Sequence, residues 1–254
     1  MDFGQMLDES FAYAKGSVWG KWSQWLLLLV SLIIFPFILG YIVRIYRGEK
    51  QAPELKLWGS MFFDGLKLLI VQIIYALPVI LLIIAAFLPL VSTLVTSGSF
   101  HVNFARMSDA QVEQWFISHP EFISAAGLMI VFLLLAVIFA IFITIFSFIG
   151  TVRFARTARI SEAFNFSAIL AQIGRIGWIN YIVALLIITI IGFIFSMIPN
   201  IISFIPVIGS FIGLVVMVVL CVPFVVFTSR YAALVYESGE ETVSPVPEGQ
   251  TPVI

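Results

Sequence analysis

The chain has 254 residues, of which 61% are hydrophobic and only 11% charged, and its formal net charge is −1. Soluble domains carry about 25% charged residues, so this composition excludes an ordinary globular domain in water. The charge balance also excludes nucleic acid as a partner, because phosphate binding needs a concentrated basic surface.

Residues 1–21 form an amphipathic N-terminal segment, with Met6, Leu7, Phe11 and Trp19 set among polar residues. Asp2, Asp8 and Glu9 stand where a signal peptide would be basic, so no cleaved signal is expected. No Asp, Glu, Lys or Arg occurs in residues 22–43, 68–105, 122–152 or 176–229. A helical bilayer crossing needs about 20 apolar residues. The predicted fold is therefore all-α: a polytopic membrane helix bundle over residues 22–236, with apolar helices at about 22–43, 66–95, 122–150, 177–198 and 209–229. Short amphipathic interfacial helices are expected beside these about five apolar helices. Pro78 is a predicted kink, and Pro199, Asn200, Pro206 and Gly209 mark a turn between the last two helices. Residues 237–254, acidic and proline-containing, read as a disordered tail. Cys221 lies in an apolar run and is read as packing.

Basic residues set orientation, because short loops rich in them stay cytoplasmic. Arg44, Arg47, Lys50, Lys56 and Lys67 fall in residues 44–67, and Arg153, Arg156, Arg159 and Arg175 in residues 151–176, whereas only Arg106 lies between them. The expected protein is a multi-pass cell-membrane protein whose loops 44–67 and 151–176 and C-terminus are cytoplasmic and whose loop 96–121 is external. Residues 22–43 are just long enough to cross, which is the favoured reading and puts Lys15 and Lys21 outside. The alternative bends the segment near Pro36 into a re-entrant element that returns the N-terminus to the cytoplasmic side.

A supersecondary phrase recurs. Gly40-Tyr-Ile-Val-Arg44-Ile-Tyr-Arg47, Gly150-Thr-Val-Arg153-Phe-Ala-Arg156 and Phe227-Thr-Ser-Arg230 each end an apolar run on arginine. Amphipathic stretches at 58–65 and 160–175 lead into the next spans, and the second has Ile160, Ala163, Phe164, Ile169, Leu170 and Ile173 on one face against Ser161, Glu162, Gln172 and Arg175. Interfacial aromatics and basic anchors also generate such a rhythm without any repeat.

Gly40-Tyr41-Ile42-Val43-Arg44, then Trp58, Phe63-Asp64-Gly65-Leu66-Lys67 and Tyr75-Ala-Leu-Pro78, resemble the signature of a mainly archaeal membrane family labelled domain of unknown function (number 4013). The stretch from Arg159 to Phe166 with Ile169-Leu170 resembles that family's second signature. The turn at 50–57 departs from the family's proline-led acidic run, since Leu55 and Lys56 dilute Pro53-Glu54. The resemblance implies a multi-pass, archaeal-type membrane protein and carries over no catalytic residue.

Candidate sites are few. Arg44, Arg47, Arg153, Arg156 and Arg159 are candidate lipid or interface anchors, beside amphipathic helices around Phe62 and Phe164. Asp64, Lys67, Gln72, Asn180 and Thr189 are the candidate polar path, although none is an ionisable group deep in a span. His101, Asp109, Glu113 and His119 share the outward loop without matching a metal-ligand spacing. Ser108-Asp-Ala-Gln111 reads as a capping box. Gly209-Ser-Phe-Ile-Gly213 permits close helix approach within the chain or in a homo-oligomer. No catalytic, cofactor or metal residue is expected. The expected function is non-enzymatic organisation of membrane lipid or a membrane-protein partner, with a small channel or transporter between interrupted helices as the alternative.

Overall fold

The structure, a computed structural model, describes residues 1–241. Every regular element among the described residues is helical: α1 (Phe3–Val18), α2 (Trp22–Ile33), α3 (Phe35–Tyr46), α4 (Trp58–Ser97), α5 (Asp109–Ser118), α6 (Pro120–Thr157), α7 (Phe166–Ile176), α8 (Trp178–Ser203) and α9 (Gly209–Glu241), with short 3-10 turns between some of them. The all-α expectation holds. Four helices, α4, α6, α8 and α9, are long and apolar enough to cross a membrane, and little of each apolar stretch is buried inside the protein. That exposed apolar surface has lipid as its natural solvent.

The favoured fifth apolar helix, residues 22–43, is not continuous. Residues 22–43 divide into α2 and α3, each of 12 residues. Each is about 18 Å long against a hydrocarbon core of about 30 Å. The break falls at Ile34, two residues before Pro36, which lacks an N–H for the preceding turn and disfavours helix just before it. The two ends of the pair meet the same stretch of chain: Gln24 Nε2 donates to the Pro53 carbonyl at 3.0 Å, and Arg44 donates to the Glu54 and Lys56 carbonyls at 3.1 and 2.7 Å. The segment returns to where it began, the geometry of the re-entrant alternative. Its tip presents Ile33, 84% exposed, together with Ile34 and Phe35.

Two compact units are distinguished. In the unit formed by residues 1–72 and 145–241, α9 is the hub, packing against α1, α2, α3, α7 and α8. Asp2 caps α1 by accepting from the Gln5 amide at 3.0 Å. Ser10, Tyr13, Ala14 and Ser17 then form a buried stripe at i, i+3, i+4 and i+7. On α7 the stripe is Ile169, Gln172, Ile173 and Ile176, at the same spacing. Two assignments change there: Leu170 is exposed, while Gln172 is buried and donates to the Tyr236 carbonyl at 2.8 Å. Residues Ile160–Phe164 form a separate 3-10 turn, outside the helix.

Two glycines let backbones touch. A Cβ on Gly40 would lie 1.8 Å from the Met61 carbonyl oxygen, and one on Gly65 would lie 1.8 Å from that of Pro36, so α3 and the start of α4 cross with nothing between them. Gly209 and Gly213 serve the same end inside the chain, facing the Ile202 and Pro199 carbonyls of α8. Pro199 itself lies within α8, and the turn begins only after Ser203. At the other end α9 runs on to Glu241, so residues 237–241 are helical where a tail was expected. The rest of that tail, 242–254, lies outside the described residues.

The second unit, Ile73–Thr144, contains α5, whose capping box between Ser108 and Gln111 forms as the sequence indicates. Trp115 stacks on His119 with ring centres 4.3 Å apart and meets Phe104 at 5.0 Å and Phe122 at 4.8 Å. His119 Nδ1 also lies 2.8 Å from the Trp115 carbonyl.

Candidate functional site, a cluster of arginines and carboxylates

The ends of α3, α6 and α9 meet in a chain of ion pairs. Arg47 Nε donates to the Ala155 carbonyl at 3.3 Å, and Arg156 Nε donates to the Tyr46 carbonyl at 2.7 Å. Each arginine therefore reaches the residue preceding the other, a reciprocal exchange between two Arg-x-x-Arg segments. Arg47 also pairs with Asp64 at 2.7 Å. Arg156 pairs with Glu237 at 2.5 Å and with Glu240 at 3.4 Å. Arg230, only 5% exposed at its side chain, pairs with Glu9 of α1, lies 3.7 Å from Glu237, and stands over the Tyr13 ring at 5.3 Å. Glu237 thus links two guanidinium groups, as burial of a cation requires.

The first arginine of each segment holds the loop that follows. Arg44 clamps carbonyls at 54 and 56, and Arg153 holds Glu162 through Nε at 2.8 Å. The Arg153 guanidinium keeps the Glu162 carboxyl below the ordinary glutamate range. Gly48, with φ of 88°, turns the chain beneath this cluster, where a Cβ would sit 2.9 Å from Glu237 and 3.0 Å from Arg156.

Four of the five proposed anchors, Arg44, Arg47, Arg153 and Arg156, are therefore engaged within the chain, and Arg159 alone of the five is exposed without an ion pair among the described residues. Among the described residues of this unit, the exposed lysines and arginines without an ion pair are instead Lys15, Lys21, Lys50, Arg159 and Arg175. Sequence reasoning missed Glu9 and Glu237 as partners. The available signal for Glu237 was the absence of proline between Phe224 and Val243, which lets the helix continue past the apolar run.

Of the polar-path residues, Asp64 and Lys67 are brought together, and Gln72, Asn180 and Thr189 do not join them. Asp64 pairs with Arg47 and, at 3.8 Å, with Lys67. Asn180 and Thr189 donate to the Ile176 and Leu185 carbonyls of their own chain segment, and Gln72 is exposed. None of them lines the cavity at Tyr13 and Lys50, that at Asp2 and Glu237, or that at Trp19 and Pro223.

The fold defines a membrane protein built as an all-α helix bundle, with a partly buried polar cluster binding helix ends together. The chain belongs to the family described as protein of unknown function (DUF4013), which it matches over residues 25–207. No curated protein and no solved structure matches the chain. Both α1 and α9 fall outside the matched residues.

Proposed function

We propose that this is a non-enzymatic membrane protein that gathers anionic lipid, or a membrane partner, around the segments joined by the arginine cluster. One observation carries the reading: α1, the 53–57 stretch, the loop after α6, and α7 with α9 are tied together by the cluster and its neighbours, and α1, the loop after α6 and α7 carry the free cations Lys15, Arg159 and Arg175, with Lys21 and Lys50 in the turns beside α1. Lysines and arginines near a surface attract anionic headgroups by about 1 kcal/mol each. By the positive-inside bias this side is cytoplasmic, with the N-terminus on it.

Two measurements test the proposal. In a Cys221→Ala background, single cysteines at Gln5 and Arg159 should label from the cytoplasmic side, and one at Ser99 from outside. Labelling of Gln5 from outside would overturn the shared side. In mixed vesicles, energy transfer from a fluorophore at residue 5 should favour a labelled anionic lipid over a zwitterionic one, and Lys15→Glu with Arg175→Glu should weaken the preference. An unchanged preference in that folded variant sinks the lipid-gathering reading.

A further inference from the structure

The turn between α1 and α2 separates two chemistries. On one side lies a cavity of about 380 Å³, lined by Glu9, Tyr13, Lys21, Lys50 and Gln51 among others. Its size is that of a small-ligand site. Tyr13, buried at its base, donates to the Gln51 carbonyl at 3.2 Å, which fixes α1 to the wall. Glu9 is paired with Arg230, so the lining charges of this cavity without an ion pair are Lys21 and Lys50, with Glu54 acting on Lys21 and Glu49 on Tyr13 from beyond ion-pair distance. Neither lysine has a carboxylate within ion-pair distance among the described residues. On the other side lies an apolar groove of about 200 Å³ between Trp19, Trp22 and Trp25 of the turn and α2 and Leu220 and Pro223 of α9. Lys21 lines the first and its neighbour Trp22 the second. Tryptophan gathers at the level of lipid headgroups, and a cation beside it suits a phosphate.

We propose that this crevice binds one phospholipid, its phosphate between Lys21 and Lys50 and an acyl chain along Trp19, Trp22 and Pro223. The proposal rests on the lipid-gathering reading and names its specific ligand. Apolar groove and cationic cavity complement the two halves of one amphipathic molecule, whereas a free anion would leave the tryptophan groove unused.

Native mass spectrometry of the full chain in detergent with added phosphatidylglycerol tests it. A one-to-one adduct is expected. Lys21→Glu with Lys50→Glu should lower the bound fraction by about tenfold or more, and the milder Lys21→Gln with Lys50→Gln should lower it less. Trp19→Ala with Trp22→Ala, at exposed positions, should also weaken it. Lys15→Glu with Arg175→Glu, outside the cavity, should leave it unchanged. Adduct retained in both lysine pairs, with thermal unfolding unaltered, overturns the site, as does equal competition by glycerol phosphate, which lacks chains. Because the vesicle experiment uses Lys15 and Arg175, the two readings fail separately: a vesicle preference without this adduct removes the site alone, and an adduct without the preference removes only the gathering.

Discussion

Arg44-Ile45-Tyr46-Arg47 and Arg153-Phe154-Ala155-Arg156 have the same spacing and do the same two jobs by different chemistry. In each, the first arginine secures the following loop and the second crosses to the other segment. Arg44 does so through backbone carbonyls, which carry no charge, whereas Arg153 does so through the Glu162 carboxylate. Arg47 finds Asp64, while Arg156 finds two glutamates of α9 and the face of Tyr236 at 5.5 Å. The helices that open the next element begin in the same way, with Trp22, Trp58 and Trp178. The difference teaches that a repeated backbone plan is filled with unequal stakes, and that the second segment holds more of the unit together.

The largest expected effect lies where no side chain can be accommodated. Gly40→Ala puts a methyl 1.8 Å from the Met61 carbonyl oxygen, a clash with backbone rather than with a movable side chain. Parting α3 from α4 should cost more than about 4 kcal/mol in thermal unfolding of the solubilised protein. A loss below about 1 kcal/mol would mean that the crossing is looser than described and that Gly40 does not set it.

The arginines come next and should rank unequally. Arg156→Ala strips Glu237 of its closest partner at a site where both side chains are about three-quarters buried, and should cost about 3 kcal/mol. Arg47→Ala, at a side chain 35% exposed, should cost about 1–2 kcal/mol. Equal losses would remove the distinction between the segments. Losses far below additive in the double variant would show that the reciprocal contacts act as one unit.

The two loop clamps should part company with pH. Glu162 has its carboxyl held below the ordinary value of 4.5 by Arg153, so its contribution is complete above 4.5 and is lost as pH falls through the lower folded value. Arg44 grips carbonyls that do not titrate. Glu54, also held low, pairs with Lys56 inside the exposed loop, so protonating it frees that contact and leaves the clamp intact. A spin label at Ser161 should therefore gain mobility below pH 4.5 while one at Gln51 does not, and Glu162→Gln should give the mobile state at neutral pH. Parallel behaviour of both labels contradicts the assignment.

Which parts of this were legible in sequence follows from the physics of each signal. Charge-free tracts disclosed the four long helices because the bilayer penalises every ionisable group along its thickness. The same signal did not disclose the break within residues 22–43, since apolar length does not distinguish one continuous helix from a bent pair when one proline decides. Gly40 and Gly65 belonged to the stretch resembling the family signature, yet only the crossing with Met61 and Pro36 shows why they are glycine. The arginines were recognisable as a group. Their partners were not, because Glu9 and Glu237 lie 221 and 81 positions from the arginines they meet. The lysines left free followed only after those pairs were known.

The smallest expected effect probes the two amphipathic helices. Gly16 in α1 and Gly174 in α7 lie near the C-terminal ends of their helices, on the exposed side, and an added Cβ at either meets nothing within 4 Å. Neither has a backbone that a side chain would resist. Alanine there should stabilise each helix by up to about 1 kcal/mol, because glycine pays more backbone entropy on ordering. The gain should be similar in both, since each helix packs on α9 through a stripe of the same spacing and leaves these positions outside it. A loss at Gly16 but not Gly174 would mean that α1 makes a close approach on its outer side that α7 does not, and the two helices would then cease to be equivalent. That outcome would separate α1 from α7 in the repeated plan, leaving the two Arg-x-x-Arg segments as its matched pair.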